Sequence, residues 1–455
     1  MQSAKLHFAS ALLAHGWQRD VTVTCAGNGM ITAVAGGREG DAQHVPGIAI
    51  PAMPNIHSHA HQRFMLGLAE RAGPGADSFW TWREAMYGFA LKLSPEDLEA
   101  VAAQLYVEML KAGFAAVGEF QYLHHQPDGT PYEDPPRMRL RCLAAAGRAG
   151  IATTILPTLY ADGGFGGQPP QPGQRRFING VDSFLKIFAR LSEESKGHPL
   201  RRVGISPHSL RAVTPDLLRE VVAPLPGETP IHIHLAEQVK EVEDCLAHSG
   251  LRPVELLLQE FDVSARWTAI HATHMTKAET QALAISGAAA GLCPTTEANL
   301  GDGIFPAVDF TKAGGAIAIG SDSHITVSPA EDLRMLEYSQ RLQHRTRNAL
   351  AAGPGQSTGR TLYEKALSGG ARSLCQNMGA IAPGRRCDIA VLDAGNPLLA
   401  GREGDAALDT WIFSGGNALV KDVFVAGRHL VKDRRHIHED EIARDFRAAL
   451  RRLDT

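Results

Sequence analysis

Between residues 50 and 380, short apolar runs of strand length alternate with longer stretches in which apolar residues recur at helical spacing. In "SPEDLEAVAAQLYVEMLKAGFAAVGEF", Ser94 is placed to cap a helix and Pro95 to fill its first position. Glu96 and Asp97 follow in the first turn, where the helix dipole favours anions. Leu98, Val101, Ala102, Leu105 and Met109 recur at helical spacing, Gly113 stops the helix, and "FAAVGEF" reads as a buried strand. The same pattern predicts strands at 47–57, 114–120, 151–160, 202–209, 230–237, 267–274, 287–294 and 315–324. Eight strands alternating with helices predict an α/β fold, a (β/α)8 TIM barrel over residues 47–382. The alternative is an open doubly wound sheet, but no GxGxxG follows the first strand to favour it.

The flanks break the alternation. "DVTVTCAGNGMITAVAGG", within residues 1–46, reads as a hairpin with Gly-rich turns, and residues 383–435 hold further short strands in "GRRCDIAVLDAG" and "VKDVFVAGRHLVKD". The two ends are expected to combine into one small β-sandwich domain, followed by a C-terminal helix over 436–455. Segments 160–177 and 351–360 are rich in Gly and Pro, a composition that at such length suits lids, binding loops or disorder. A net charge of −4 with mixed signs argues against nucleic-acid and membrane-surface partners, and 44% apolar residues suit a large soluble core. No apolar run reaches ~18 residues, and the N-terminus lacks the pattern of a signal peptide. The six cysteines (Cys25, Cys142, Cys245, Cys293, Cys375, Cys387) form no CxxC and read as free thiols, so a cytoplasmic location is expected.

Chemistry gathers at the predicted strand ends. "NIHSHAHQRF" alternates His57, His59 and His61, and in an extended segment alternate side chains share a side. Further strands end in Pro207-His208, His232-Ile233-His234 with Glu237 beyond, His271 with His274 beyond, and Ser321-Asp322-Ser323-His324. In a barrel these ends meet on one rim. His57, His59, His234 and Asp322 offer three nitrogens and one oxygen, a donor set suited to a Zn²⁺-type ion with one open position for water. Such an ion lowers the pKa of water from about 15.7 to near 7. Glu237 is placed to move the proton, His271 to orient the nucleophile and stabilise developing charge, and Asp322 to accept a proton while it binds the metal. A second metal would need a bridging ligand from the fourth strand, usually a modified lysine; "RVGISPHS" has none, so one metal is expected. His61, His274 and His324 are expected to be structural, His124 and His125 a solvated or loop pair, and Arg175-Arg176 a surface pair.

Together these residues resemble the amidohydrolase superfamily, in its deaminase branch, over nearly the whole length. Closer still, "HSHAHQRFMLGLAE", "DSFWTWREAMY", "GFGGQPPQPGQRRFING", "HIHLAEQVKEVEDC", "TEANLGDGIFPAVDF" and "GSDSHITV" are similar to the formimidoylglutamate deiminases. That resemblance implies one Zn²⁺ per subunit (Fe²⁺ or another divalent ion being the alternative), held by His57, His59, His234 and Asp322, with Glu237 and His271 as catalytic partners. It also implies substrate contacts from Gln62, Arg83, Tyr122, His208 and Arg211, and a homodimer. The sequence departs at His61, where the family pattern has Phe, and at Ser206-Pro207 before His208. The implied reaction is hydrolysis of N-formimino-L-glutamate to N-formyl-L-glutamate and ammonia, in histidine degradation. A substrate with two carboxylates needs fixed cations, and Arg83 and Arg211 can each grip one through a fork of hydrogen bonds. The alternatives are an aromatic or nucleoside deaminase (guanine or adenosine-type) on the same framework, or a non-catalytic scaffold, which would lose metal ligands.

Overall fold

The structure, a computed structural model, describes residues 3–71, 75 and 77–453. The alternation becomes eight parallel positions: β1 Met53–Ser58, β2 Phe114–Gln121, β3 Ala152–Leu159, β4 (Arg201–Val203 with Ser206–Pro207), β5 Ile231–Leu235, β6 Trp267–His271, β7 Ala289–Leu292 and β8 Ala316–Ile319. Hydrogen bonds order β4-β3-β2-β1 in one sheet and β5-β6-β7-β8 in another. Single parallel bridges connect their edges: Ile205 with Ile231 and Ser209 with His234 between β4 and β5, and Ser58 with Asp322 beyond β8 and β1. Every residue of β2 and β3 is buried, as expected for parallel strands covered on both faces.

Helices α1 Phe79–Ala90 and α2 Pro95–Ala112 lie between β1 and β2. α2 starts and stops where its sequence dictates. The Ser94 hydroxyl accepts the Asp97 N–H at 3.0 Å, Pro95 opens the first turn, and Gly113 ends it at φ +100°. Helix Thr358–Ser373 approaches β8 so closely that a Cβ on Gly369 would lie 2.0 Å from the Ile317 carbonyl oxygen.

Both chain ends share one nine-stranded sheet. Its path runs through 435–436, 428–432, 420–425, 389–392, 48–51, 4–13, 16–25 and 31–36, with 43–44 paired to 4–13. The predicted hairpin is present as Gly16–Cys25 against Ile31–Gly36. Leu6, Phe8, Val21, Val23, Ile389, Val391 and Phe424 fill a core of its own. Three features differ from the sequence expectations. The predicted first strand, 47–57, is divided: Ile48–Pro51 joins the terminal sheet and only Met53–Ser58 enters the parallel set. The switch lies between neighbouring amides, since the Ala52 N–H donates to Asp388 O and the Met53 N–H to Gly113 O, each at 3.0 Å. Within 383–435, residues 405–419 form helical turns that bury Trp411. Cys25 and Cys387 are joined as a disulfide across a sequence separation of 362, where backbone hydrogen bonds tie the turn at 29–31 to residues 384–387; Cys142, Cys245, Cys293 and Cys375 are free. Among the described residues, no helix is long and apolar enough to cross a membrane.

Candidate metal centre and adjoining pocket

β1 delivers His57, and its alternation carries one residue past the strand end to His59 but no further. The strand ends at Ser58, and Ala60–Met65 coil into a 3-10 turn. His61 therefore leaves the shared face and packs edge-on against Tyr122, with 4.6 Å between ring centroids.

His57 Nε2 lies 3.1 Å from His234 Nε2, and Asp322 Oδ1 lies 3.4 Å from the Nε2 atoms of both His57 and His59. All four residues are buried. The Nδ1–H of His59 donates to Phe120 O at 2.8 Å and that of His234 to His208 O at 2.9 Å, leaving their Nε2 lone pairs directed inward. Burial lowers the pKa of His57, His59 and His234; neighbouring rings lower it further at His57 and His234, while Asp322 and the Phe120 carbonyl oppose burial at His59. The net direction in all three favours the neutral imidazole, the form that ligates. Four donors placed tetrahedrally about 2.1 Å from one ion lie roughly 3.4 Å apart. The observed separations fit that figure, so the cluster can hold a divalent metal.

The strand ends are shaped for this convergence. Ala236, His271, Ala272 and Asp322 all have left-handed backbone angles, φ +49°, +66°, +49° and +45°. Such conformations cost of order 1–3 kcal/mol each and cluster where a fold must aim side chains. Asp322 is fixed further by its N–H to His57 O at 3.0 Å.

Beside the cluster, His271 Nε2 lies 3.8 Å from both Glu237 Oε1 and Asp322 Oδ2. Burial pushes the Glu237 carboxyl up to about 7, against the opposing pull of His271 and Arg211. Burial works against charge on His271, but Glu237, Glu297 and Asp322 outweigh it and raise the ring to about 10.

A cavity opens onto these groups. His59, Gln62, Arg83, Tyr122, His208, Arg211, His234, Glu237, His271 and Asp322 all line it, with His57 behind them. The Arg83 guanidinium lies 4.6 Å from the Trp80 ring centroid and 5.4 Å from that of Tyr87, and Arg211 lies 5.7 Å from the same indole. Nε of each arginine is buried without a hydrogen-bond partner. Gln62 donates to the Tyr122 hydroxyl at 2.9 Å. Tyr160 and Phe177, at the two ends of the Gly/Pro-rich segment, complete the wall.

Two expectations about residues outside the cavity are corrected. His124 and His125 do lie in a loop, just after β2, but His124 is buried rather than solvated, its Nε2 2.8 Å from Thr158 O. Arg176 is fully buried, because its guanidinium caps the carbonyls of Ala90, Leu93 and His125 at 2.6, 2.9 and 2.8 Å. His274 and His324 are bonded into surrounding structure, through Asp302 O and through Ser58 and Ser321.

Several acids escaped notice in the sequence. Glu119 accepts from Ser58 at 2.7 Å and from the Ala60 N–H at 2.8 Å, and its signal was a lone acid inside the apolar run "FAAVGEF". Glu241 receives the N–H groups of Ala236 and Glu237 at 3.1 and 3.0 Å. Glu297 and Asp302, both in "TEANLGDG", stand behind His271; burial and Glu237 push Asp302 up to about 9.

The chain belongs to the amidohydrolase family, whose pattern matches residues 48–430. Within that class it is 52% identical over 439 residues to the formimidoylglutamate deiminase of Pseudomonas aeruginosa, covering 96% of each chain. The crystal structure of an amidohydrolase from Brucella melitensis superposes with a TM-score of 0.94 at 49% identity, covering 99% of this chain and 100% of that one. A zinc-bound adenosine deaminase from Xanthomonas campestris shares the fold, with a TM-score of 0.83 at 20% identity, covering 99% and 98%.

Proposed function

We propose that this protein is a zinc-dependent hydrolytic deiminase that converts N-formimino-L-glutamate and water to N-formyl-L-glutamate and ammonia, in histidine degradation. The observation that carries this is the presence of two guanidiniums, Arg83 and Arg211, in the same cavity as Glu237 and His271, beside the cluster of His57, His59, His234 and Asp322. The 52% identity to a formimidoylglutamate deiminase supports it.

On this proposal His57, His59, His234 and Asp322 hold one Zn²⁺, which when bound supplies Lewis acidity and a water of lowered pKa. Arg83 and Arg211 bind the two substrate carboxylates, while Gln62, Tyr122 and His208 position the chain between them. That geometry leaves the formimino carbon facing Glu237. As water adds to that carbon, the Glu237 carboxylate takes a proton and returns it to the departing nitrogen. The C–N bond breaks, ammonia leaves, and the formyl C=O remains. The positive His271 ring faces the oxygen on which negative charge develops, and Asp322 accepts the remaining hydroxyl proton as the C=O forms.

The architecture belongs to the same proposal. The two parallel sheets form one closed (β/α)8 barrel within the expected 47–382, its first strand starting at Met53. The nine-stranded terminal sheet, from 1–46 and 383–435 with Ile48–Pro51 added, folds over its own core as the small β-sandwich domain, followed by the helix Glu439–Leu453. So do a homodimer and a cytoplasmic location, the first tested by light scattering. The deciding experiment is ammonia release from N-formimino-L-glutamate by zinc-loaded enzyme, with guanine and adenosine-type amines alongside. Release from the dicarboxylate alone is expected; turnover of a heterocycle instead would overturn the substrate assignment.

A further inference from the structure

Glu297, on the short helix Pro294–Leu300 after β7, has no part in the steps above. Its carboxylate is buried. Oε1 accepts the Cys293 N–H at 2.8 Å and lies 3.2 Å from His271 Nδ1. His271 thus bridges two environments, with Nε2 toward Glu237 and Asp322 and Nδ1 toward Glu297. His271, Cys293 and Glu297 also bring donor atoms within 4.8 Å of one another, a spacing that by itself would suit a second metal. The hydrogen bonds give that carboxylate other work, since Oε1 already receives one backbone N–H and faces the imidazole nitrogen.

What holds the ring leaves one freedom open. His271 stacks on His234 with 5.6 Å between centroids and 17° between planes. Stacking fixes the plane of an imidazole. It does not distinguish the ring from its 180° flip, which exchanges nitrogens for carbons in the same plane. A carboxylate accepting the Nδ1 proton does.

We propose that Glu297 is the positioning residue for His271: by accepting the Nδ1 proton it selects one ring flip and presents Nε2 to the reacting atoms. This rests on His271 acting in the deimination proposed above.

Histidine-selective ¹⁵N NMR on the zinc-loaded protein reads the proton directly, with His271→Asn identifying the signals. A protonated Nδ1 is expected in the wild type, and an unprotonated one overturns the proposal whatever the substrate proves to be. Glu297→Leu is expected to lower kcat by ~10–100-fold, with zinc content unchanged and KM within about threefold. Glu297→Gln, whose amide oxygen can accept the same two N–H groups, should recover most of that loss. In a His271→Asn background, Glu297→Leu should cost nothing further. An equal loss in both backgrounds, or a loss that follows zinc content, overturns the proposal. Should Glu297→Leu not fold, the wild-type spectrum and Glu297→Gln still decide it. If the wild type releases no ammonia from N-formimino-L-glutamate, the substrate assignment fails while the NMR result stands separately.

Discussion

Replacing Arg211 with Met tests the substrate assignment at its most exposed point. Arg211 lies 5.7 Å from the Trp80 ring centroid, and its Nε is buried without a partner. Burial opposes its charge, but Glu241, Tyr160 and Glu237 raise its pKa, so the guanidinium stays charged and available to a carboxylate. A forked contact supplies two charge-assisted hydrogen bonds, each worth about 1.5–3 kcal/mol. At the lower end of that range the pair contributes ~3 kcal/mol, or ~10²-fold in binding. Met keeps an apolar stem against Trp80 and removes only the charge. The grip on a remote carboxylate is the same in ground and transition states, so KM for N-formimino-L-glutamate should rise ~10²-fold with kcat within about threefold. Steady-state ammonia release measures both. A formimino amino acid lacking one carboxylate supplies the control: it should lose little from either Arg211→Met or Arg83→Met, depending on which cation already lacks a partner. A change in KM below about fivefold, or a loss confined to kcat, would refute the assignment of Arg211 to a carboxylate.

Other outcomes follow from the same geometry. Glu237→Gln should retain the metal, as the carboxylate lies outside the donor cluster, yet lose turnover by ~10²–10⁴-fold, checked by metal analysis beside kinetics. Glu237 must be ionised to accept a proton, and burial holds its carboxyl at about 7. kcat/KM should therefore climb as pH rises through about 7, and a flat profile from pH 5.5 to 8 in the wild type would count against its role as base. Chelation should abolish activity and lower Tm, because a bound ion stabilises the fold by mass action, and added Zn²⁺ should restore both. Gly369→Ala would set a Cβ 2.0 Å from the Ile317 carbonyl oxygen; overpacking of this kind costs ~1–3 kcal/mol and should appear as a lower Tm in calorimetry.

The residues that announced themselves in the sequence did so through short-range rules. Ser94, Pro95 and Gly113 bound α2 where caps and propensities require, because those interactions span a few residues. His57 and His59 share a face because a strand alternates, and His234, His271 and Asp322 stand at or just beyond the ends of runs whose apolar character was plain. Other features depend on segments that only the folded chain brings together. The N–H groups of Ala52 and Met53 point to different sheets because residues 113 and 388 offer carbonyls on either side. Cys25 meets Cys387 across 362 residues because residues 29–31 bond to the backbone of 384–387. Arg176 and His124 read as polar surface until loops fold over them and supply the carbonyls that make burial tolerable. Glu241, Glu297 and Asp302 carry no periodic signal, since an acid one layer behind a site is recognised by what it bonds. Local periodicity thus set the elements and aimed the first histidines, while the closing of distant backbone around them decided which charges are buried, which are paired and which face the cavity.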